Sequence, residues 1–205
     1  MRRVSGLEII AEVGVNHDGD LDTALELVDK AAVAGADTVK FQTFEAAELA
    51  TQICPKAAYQ KVRTTRSESQ QDMLRKLQLP TELWPAIIKR CQKHRLKFLS
   101  TAFDIKSADM LVSLGQRRFK IPSGDITNLP YLRYLGGFNW PILLSTGMAN
   151  LEEVGDALRI LESAGTDRGK ITVLHCTSAY PAPLADVNLL ALNSIRETFG
   201  VKLGY

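Results

Sequence analysis

The sequence predicts an α/β fold, a (β/α)8 TIM barrel truncated after about six β/α units plus the start of strand 7. Two observations lead to this prediction. Short apolar runs typical of buried strands alternate with amphipathic helical patterns, and polar residues follow the strands at the same place in each repeat. Because the chemistry of such barrels lies at the C-terminal ends of the strands, these polar groups are expected to meet at one rim.

Six strand-like runs are each closed by polar residues. In chain order, the runs and the residues that close them are Leu7–Ala11 with Glu12, Gly14, Asn16 and His17; Thr38–Val39 with Lys40, Gln42 and Thr43; Phe98–Leu99 with Ser100 and Thr101; Phe119–Ile121 around Lys120 with Ser123, Gly124 and Asp125; Ile142–Leu144 with Ser145, Thr146 and Gly147; and Ile171–Leu174 with His175 to Tyr180. A seventh strand begins at Val201–Leu203. Alternation of such strands with helices indicates a parallel sheet.

Helical patterns fill the gaps between these strands. Apolar residues at i, i+3 and i+4 spacing predict helices over Leu21–Ala34, Thr81–His94, Ile105–Leu114, Asn150–Ala164 and Leu189–Phe199. Glycines placed as C-terminal caps follow four of them, at Gly35, Gly115, Gly165 and Gly200. Thr81 and Asn150 are the predicted N-caps of their helices.

One long segment interrupts the alternation. Ala46–Leu79 is polar in its middle and ends in a short amphipathic helix that contains Met73, Leu74 and Leu77. A loop of that length in a compact domain is typically a lid or a binding loop. Seven strand starts fall short of the eight that a closed barrel needs, so residues 1–205 are expected to form one incomplete barrel domain.

Composition narrows the class of protein. The chain of 205 residues is 45% hydrophobic and 23% charged, and its 25 basic and 23 acidic residues give a net charge of +2. That balance disfavours nucleic acid or a membrane surface as the main partner, and no apolar run approaches the roughly 20 residues of a membrane span. Cys54, Cys91 and Cys176 lack C-x-x-C spacing, which favours reduced thiols in a cytoplasmic protein.

Two lysines, Lys40 and Lys120, lie late in apolar strands. Because side chains alternate along a strand, Lys40 and Gln42 share a face opposite Val39. A lysine that faces a barrel interior is costly without an anion beside it. The alternative is a lysine that reaches from the strand end to water. Two lysines at equivalent strand ends favour an anion-binding site.

Hydroxyl groups close strands 3, 4 and 5, at Thr101, Ser123 and Ser145. With Lys40 and Lys120 they predict a cradle of donors for a phosphate group, assembled from several strands. Any single one of them could equally cap the helix that follows it. Because the three hydroxyls and the two lysines all lie at strand ends, the phosphate-binding cradle is favoured over separate helix caps.

Glu12 is the carboxylate of the first strand. A buried glutamate needs a partner or a shifted pKa, which suits proton transfer or the binding of a hydroxyl group. An ion pair with Lys40 is an alternative, and the two roles are compatible. Tyr180 lies on a proline-stiffened segment after strand 6 and is a candidate to close on a substrate. Asp125 either binds a ligand or caps a turn.

The histidines give the weakest signal. His17, His94 and His175 show neither i, i+4 spacing nor a nearby carboxylate pattern, so no metal site can be assigned from spacing. His94 is predicted at the surface of a helix end. His17 and His175 are candidates for structural hydrogen-bond donors at the rim.

The motifs along the chain resemble those of the N-acetylneuraminate (sialic acid) synthase family, whose bacterial members also make legionaminic and pseudaminic acids. The matching motifs are Ala11–His17, Val39–Thr43, Ser100–Phe103, Lys120–Asp125, Leu144–Met148 and His175–Pro181. The resemblance runs from about Glu8 to Tyr205. Each motif alone is weak, and their occurrence in order makes the assignment specific.

This resemblance implies a transferase that condenses phosphoenolpyruvate with an open-chain N-acetylmannosamine-type aldose, giving a sialic-acid-like nine-carbon 2-keto acid and phosphate. It implies that phosphoenolpyruvate is bound by Lys40, Thr101, Lys120, Ser123 and Ser145. It implies sugar contacts from Glu12, Gln42 and Tyr180. The catalytic residues would be Glu12, Lys40 and Lys120.

The resemblance also implies a divalent metal in the full-length enzyme, Mn²⁺ first and Mg²⁺ or Co²⁺ next, to polarise the aldehyde. The family's histidine ligands follow a Gly-Tyr pair, and the sequence stops at Gly204-Tyr205, so no metal ligand is expected within it. The family's C-terminal capping domain is expected to be absent for the same reason. The expectation is therefore an inactive isolated chain and, at full length, a homodimer.

Two other hypotheses stay open at this stage. One is another phosphoenolpyruvate-dependent synthase acting on an aldose phosphate, with Arg117, Arg118 and Arg133 as candidate ligands. The other is an inactive barrel fragment that binds phosphoenolpyruvate or a partner protein through its open edge. The sequence leaves the identity of the N-acylated sugar open, since specificity would rest on Ala46–Leu79 and on segments beyond the chain.

Overall fold

The computed structural model describes residues 6–55 and 69–205 and divides into two compact units, residues 1–116 and 117–205. Each unit has its own sheet, and all paired strands in both sheets are parallel. The first unit contains strands β1 (Ile10–Gly14), β2 (Thr38–Thr43) and β3 (Lys97–Ala102), in that spatial order. Its helices are α1 (Leu21–Val33), α2 (Ala46–Leu49), α3 (Gln70–Leu77), α4 (Trp84–Lys93) and α5 (Ile105–Ser113).

Alternation along β2 separates an apolar face from a polar face. Val39 and Phe41 are fully buried and pack in one cluster with apolar side chains of α1 and α4. The rings of Phe41 and Trp84 meet edge to face, with centroids 5.8 Å apart. Burial of each such side chain contributes about 1.5–3 kcal/mol. This burial fixes which face of β2 meets the helices, and it leaves Lys40 and Gln42 on the opposite face.

Short polar side chains begin several helices of the first unit. Asp20 accepts the Thr23 N–H over 2.7 Å at the start of α1. Asp104 accepts the Ser107 N–H over 2.7 Å at the start of α5. Each cap satisfies a backbone N–H that the helix itself cannot pair, and a cap of this kind stabilises by about 1 kcal/mol.

The second unit repeats the same design with four strands. Its strands are β4 (Phe119–Ile121), β5 (Ile142–Ser145), β6 (Ile171–Leu174) and β7 (Lys202–Gly204), in that spatial order. Its helices are α6 (Leu129–Gly136), α7 (Leu151–Ser163) and α8 (Ala191–Phe199). Asn150 and Glu153 form a reciprocal capping box at the start of α7, with N···O distances of 2.9 and 2.8 Å.

The predicted alternation of strands and helices is confirmed in the part of the chain that the structure describes. Two helix predictions need correction. The helix expected over Thr81–His94 is a 3-10 turn at Thr81–Leu83 followed by α4 from Trp84, because Pro85 suits the first turn of an α-helix and resists a position inside one. The helix expected from Leu189 begins at Ala191.

Two further helices were not predicted, α2 and α6. The polar middle of the Ala46–Leu79 loop, residues 56–68, lies outside the described residues. Within residues 6–55 and 69–205, no helix is long and apolar enough to cross a membrane.

Candidate functional site

The polar face of the first sheet gathers four of the predicted site residues. Pairing of β1, β2 and β3 sets Glu12 beside Lys40 and Gln42 beside Thr101. The Lys40 ammonium forms an ion pair with the Glu12 carboxylate and lies 3.4 Å from Thr101 Oγ1. The Gln42 amide donates to Glu12 Oε1 over 3.4 Å. These four side chains form the first-sheet cluster, which lies at the C-terminal ends of three neighbouring strands.

Exposure differs sharply between the two members of the ion pair. The Lys40 side chain is 14% exposed, whereas that of Glu12 is 44% exposed. The expectation of a buried Glu12 is therefore wrong, because the carboxylate lies at the strand end where water reaches it. Its pairing with Lys40, left open by the sequence, is present. An ammonium has three N–H donors, and Glu12 and Thr101 both contact that of Lys40.

Gly14 gives Glu12 and Gln42 the space they occupy. The pairing of β1 with β2 is irregular between Glu12 and Gly14, and Gly14 has φ +58°. A Cβ atom at position 14 would lie 3.1 Å from Glu12 Oε1 and 3.4 Å from Gln42 Nε2. A side chain there would combine a left-handed backbone with a crowded carboxylate, so position 14 favours glycine on two grounds.

Buried hydrogen bonds fix the strand ends beneath this cluster. The Thr43 and Ser100 hydroxyls lie 2.7 Å apart, both buried. The Gln116 side chain accepts the Ser100 N–H over 2.7 Å and donates to the Ser100 carbonyl over 3.1 Å. Buried polar groups that are fully paired rigidify their surroundings, so β2 and β3 present Gln42 and Thr101 from a fixed base.

Two of the predicted hydroxyls in the second unit have well-defined partners. Ser123 Oγ accepts the Gly147 N–H over 2.9 Å. Ser145 Oγ lies 3.3 Å from the Cys176 thiol. A Cβ atom at Gly147 would fall 2.2 Å from Ser178 Oγ. These residues form the serine cluster, which lies at the C-terminal ends of β4, β5 and β6.

Lys120 and Asp125 also follow the predicted pattern in the second unit. Lys120 is half-buried, and its ammonium donates to the Ile121 carbonyl over 3.1 Å. Burial raises the pKa of the Asp125 carboxyl, while the Asn128 amide and the charge of Lys120 favour its ionised form. Asn128 donates to Asp125 Oδ1 over 3.2 Å, so Asp125 takes part in the turn that begins α6.

Tyr180, His17 and His94 lie outside the first-sheet cluster and the serine cluster. Tyr180 is 94% exposed on the segment that follows β6. His17 is buried, its Nδ1 accepts the Gly19 N–H over 3.0 Å, and burial lowers its pKa. His94 follows α4, its side chain is 30% exposed, and its Nε2 lies 2.7 Å from Asp29 Oδ1.

No group of three or more His, Cys, Asp or Glu residues that could hold a metal ion occurs within residues 6–55 and 69–205. The described residues therefore do not provide a ligand set for a resident divalent metal.

Sequence reasoning missed two members of the serine cluster, Cys176 and Ser178. Both belong to the polar run after strand 6, so the repeat pattern did point to their position. Their contacts could not be predicted because they involve neighbours that are distant in sequence, Ser145 at 31 residues from Cys176 and the turn at Gly147.

Parallel strands that alternate with helices and carry ionic and hydroxyl side chains at their C-terminal ends are typical of β/α-barrel enzymes. Comparison with known proteins gives the family of this chain. Residues 27–205 match the model of the NeuB family. The chain belongs to this family, and the resemblance to sialic acid synthases is confirmed.

Two similar curated proteins are N,N'-diacetyllegionaminic acid synthases. The protein from Campylobacter jejuni is 49% identical over 96% of this chain and 59% of its own length. The protein from Legionella pneumophila is 44% identical over 96% of this chain and 56% of its own length. The chain thus spans a little under three fifths of these relatives.

Solved structures agree with the fold. The N-acetylneuraminic acid synthetase of Leptospira borgpetersenii superposes with a TM-score of 0.82 at 27% identity, over 100% of this chain and 68% of the other. The spore coat polysaccharide biosynthesis protein SpsE of Bacillus subtilis superposes with a TM-score of 0.80 at 34% identity, over 98% of this chain and 53% of the other. The predicted α/β barrel-type fold class is confirmed.

Proposed function

We propose that this chain forms the substrate-binding part of a synthase that condenses phosphoenolpyruvate with an open-chain N-acylated aldose. The products are a sialic-acid-like nine-carbon 2-keto acid and phosphate. The observation that carries the proposal is the first-sheet cluster, in which a poorly exposed lysine, a carboxylate, an amide and a hydroxyl share one end of three strands. The names of the relatives support it, since they are synthases of such acids.

Phosphoenolpyruvate carries a carboxylate and a phosphate, and its proposed ligands match those charges. Lys40 and Lys120 supply the positive charge. Thr101, Ser123 and Ser145 supply hydroxyl donors, and hydrogen bonds to an ionised group are among the strong ones. The low exposure of Lys40 supports this role, because a desolvated ammonium interacts more strongly with an anion than a hydrated one does.

The bond changes require a proton at the sugar and water at the enol carbon. Carbon 3 of phosphoenolpyruvate bonds to the aldehyde carbon, and the aldehyde oxygen takes a proton to become a hydroxyl. Water then adds to the cationic carbon 2 and loses a proton. Cleavage of the bond between carbon 2 and the bridging oxygen releases phosphate, while the new hydroxyl loses its proton and becomes the keto group. Glu12 is the proposed proton carrier, since it is accessible to a substrate while Lys40 and Gln42 hold its carboxylate in place. Gln42 and Tyr180 are the proposed sugar contacts.

The proposed sugar is a six-carbon aldose with two acetamido groups. Two of the similar relatives are named for a product with two N-acetyl groups, at 49% and 44% identity. The human N-acetylneuraminate-9-phosphate synthase, named for a phosphorylated product, is 29% identical. Removal of the three carbons of phosphoenolpyruvate from a nine-carbon acid leaves a six-carbon aldose that already bears both N-acetyl groups.

Three further features of the whole protein are also proposals. The whole protein is proposed to use a divalent metal, with Mn²⁺ preferred over Mg²⁺ or Co²⁺ and with ligands outside this chain. It is also proposed to form a homodimer and to lie in the cytoplasm. The alternative aldose-phosphate synthase gains no support from Arg117, whose guanidinium packs 4.9 Å from the centre of the Trp140 ring.

The experiment is a comparison of three sugars with the whole protein, phosphoenolpyruvate and Mn²⁺. The sugars are a 2,4-diacetamido aldose, N-acetylmannosamine and N-acetylmannosamine 6-phosphate, and the readouts are released phosphate and the mass of the keto acid. The proposal predicts the highest kcat/KM for the diacetamido sugar. Preference for the phosphorylated sugar would establish the aldose-phosphate alternative. If none of the three sugars gave phosphate release and a keto acid, the proposed condensation would be contradicted.

A further inference from the structure

The serine cluster pairs each of two serine oxygens with a hydrogen-bond donor. The Gly147 N–H donates to Ser123 Oγ over 2.9 Å, and the Cys176 thiol donates to Ser145 Oγ over 3.3 Å. Ser145 is 4% exposed, and Cys176 is half-buried. Both pairs belong to the second unit, so their geometry is set within one compact body.

The first pair shows what such a contact does to a serine. A backbone N–H can only donate, so the Ser123 oxygen must be the acceptor. A hydroxyl has one proton and two lone pairs. When a protein donor occupies one lone pair, the hydroxyl proton is directed away from that donor and toward another acceptor. The Ser123 proton is thereby directed to an acceptor other than Gly147.

Cys176 creates the same arrangement at Ser145, with a thiol in place of a backbone N–H. The contact spans the ends of two neighbouring strands, β5 and β6, whose register pairs Ser145 with Leu174. The adjoining turn is held by Thr146, whose N–H and hydroxyl both donate to the Leu174 carbonyl, over 3.1 and 3.0 Å. Sulfur and oxygen are therefore kept within hydrogen-bonding distance by backbone geometry on both sides.

The same turn also lies close to the backbone of Cys176. A Cβ atom at Gly147 would lie 3.4 Å from the Cys176 carbonyl oxygen and 3.0 Å from Ser123 Oγ. We infer that Cys176 is a positioning residue that orients the Ser145 hydroxyl toward the phosphate of phosphoenolpyruvate. This inference rests on the proposed function, in which Ser145 binds that phosphate. Cys176 acts through Ser145 and does not itself touch the substrate.

The test compares Cys176→Ala and Cys176→Ser in the whole protein, each alone and in a Ser145→Ala background. Cys176→Ala is expected to raise the KM for phosphoenolpyruvate about three- to tenfold, the range for loss of one hydrogen bond. The KM for the sugar and the thermal unfolding midpoint are expected to stay at the wild-type values. Cys176→Ser keeps a donor and is expected to recover most of the affinity. In the Ser145→Ala background, Cys176→Ala is expected to add no further loss.

The control is Ser113→Ala, which removes an exposed hydroxyl of α5 that donates to the Met110 carbonyl over 2.7 Å. Its KM for phosphoenolpyruvate is expected to be unchanged. If Cys176→Ala fails to fold, Cys176→Val fills the volume without a donor and gives the same comparison.

Two outcomes separate this inference from the function on which it rests. A wild-type protein that does not bind phosphoenolpyruvate would overturn the proposed function and the role of Cys176 together. A wild-type protein that binds phosphoenolpyruvate, with an unchanged KM in Cys176→Ala or an equal loss in the Ser145→Ala background, would overturn the role of Cys176 alone.

Discussion

The ion pair between Lys40 and Glu12 contributes little to the free energy of unfolding, since one partner is nearly half exposed. Pairs of that kind stabilise by at most about 1 kcal/mol. Stability therefore does not explain why Lys40 and Glu12 lie together. In the proposed function, the poorly exposed Lys40 ammonium binds an anionic ligand and the more accessible Glu12 carboxylate contacts a polar one.

Glu12→Gln is the substitution that separates these roles. It keeps the shape of the side chain and its contact with Gln42 but removes the ability to carry a proton. We expect turnover to fall about 10²-fold or more, with unchanged affinity for phosphoenolpyruvate and an unchanged unfolding midpoint. Steady-state kinetics and thermal unfolding measure these quantities. A loss of stability without a specific rate defect would instead make Glu12 a structural partner of Lys40.

Gly14→Ala tests the space around the same carboxylate. The positive φ of position 14 costs an alanine about 1–2 kcal/mol, and its Cβ would lie 3.1 Å from Glu12 Oε1. We expect lower stability and also a raised KM for the sugar. The matched control is Gly35→Ala, at φ +84° with no atom within 4 Å of the added Cβ. Gly35→Ala is expected to lower stability without changing the KM for the sugar. Equal KM values for the sugar in the two variants would contradict the account of Gly14.

Helices α1 and α4 are joined by a polar contact on their outer surfaces. Asp29 of α1 accepts from the Arg90 guanidinium over 2.6 Å and lies 2.7 Å from His94 Nε2. The hydrogen bond from Arg90 lowers the pKa of the Asp29 carboxyl, and the contact with His94 acts in the same direction. A carboxyl with a lowered pKa in the folded state stabilises above its unfolded pKa, and this contribution is lost as pH falls through the folded pKa.

Asp29→Asn should therefore destabilise the protein at pH 7 and matter less below the ordinary aspartate pKa of about 4. Urea unfolding of both proteins at pH 7 and pH 3 measures the difference. The wild-type advantage is expected at pH 7 and is expected to shrink at pH 3. An equal difference at the two pH values would show that the charge of Asp29 does not stabilise the contact.

Among the helices and strands, the elements whose apolar residues are buried were the easiest to predict from the sequence. The strands were recognisable because their apolar runs are buried by helices, as Val39 and Phe41 are. Helix α6 was missed because it has only 8 residues and ends at Gly136, where a Cβ would lie 2.7 Å from Ala164 Cβ. Glycine at that position reflects close packing on α7, and packing between distant segments leaves no local signal in a sequence.

The candidate site was predictable in its residue types and only partly in its contacts. Lys40, Gln42 and Thr101 follow from the period of a strand, because alternate residues share a face. The exposure of Glu12 and the contact between Cys176 and Ser145 depend on how neighbouring strands pair, which a single sequence does not give. Membership of the NeuB family supplies the reaction to be tested, and the chain covers 59% of its relative from Campylobacter jejuni.

The central claim for the molecule is that lysines at two strand ends bind phosphoenolpyruvate. Titration calorimetry of phosphoenolpyruvate into the whole protein tests it most directly, with Lys40→Ala, Lys120→Ala and the control Lys30→Ala, whose side chain is 72% exposed in a pair with Glu26. Removal of either strand-end lysine is expected to weaken binding by roughly 2–5 kcal/mol, while Lys30→Ala binds as the wild type does. Wild-type affinity in both Lys40→Ala and Lys120→Ala would contradict the claim.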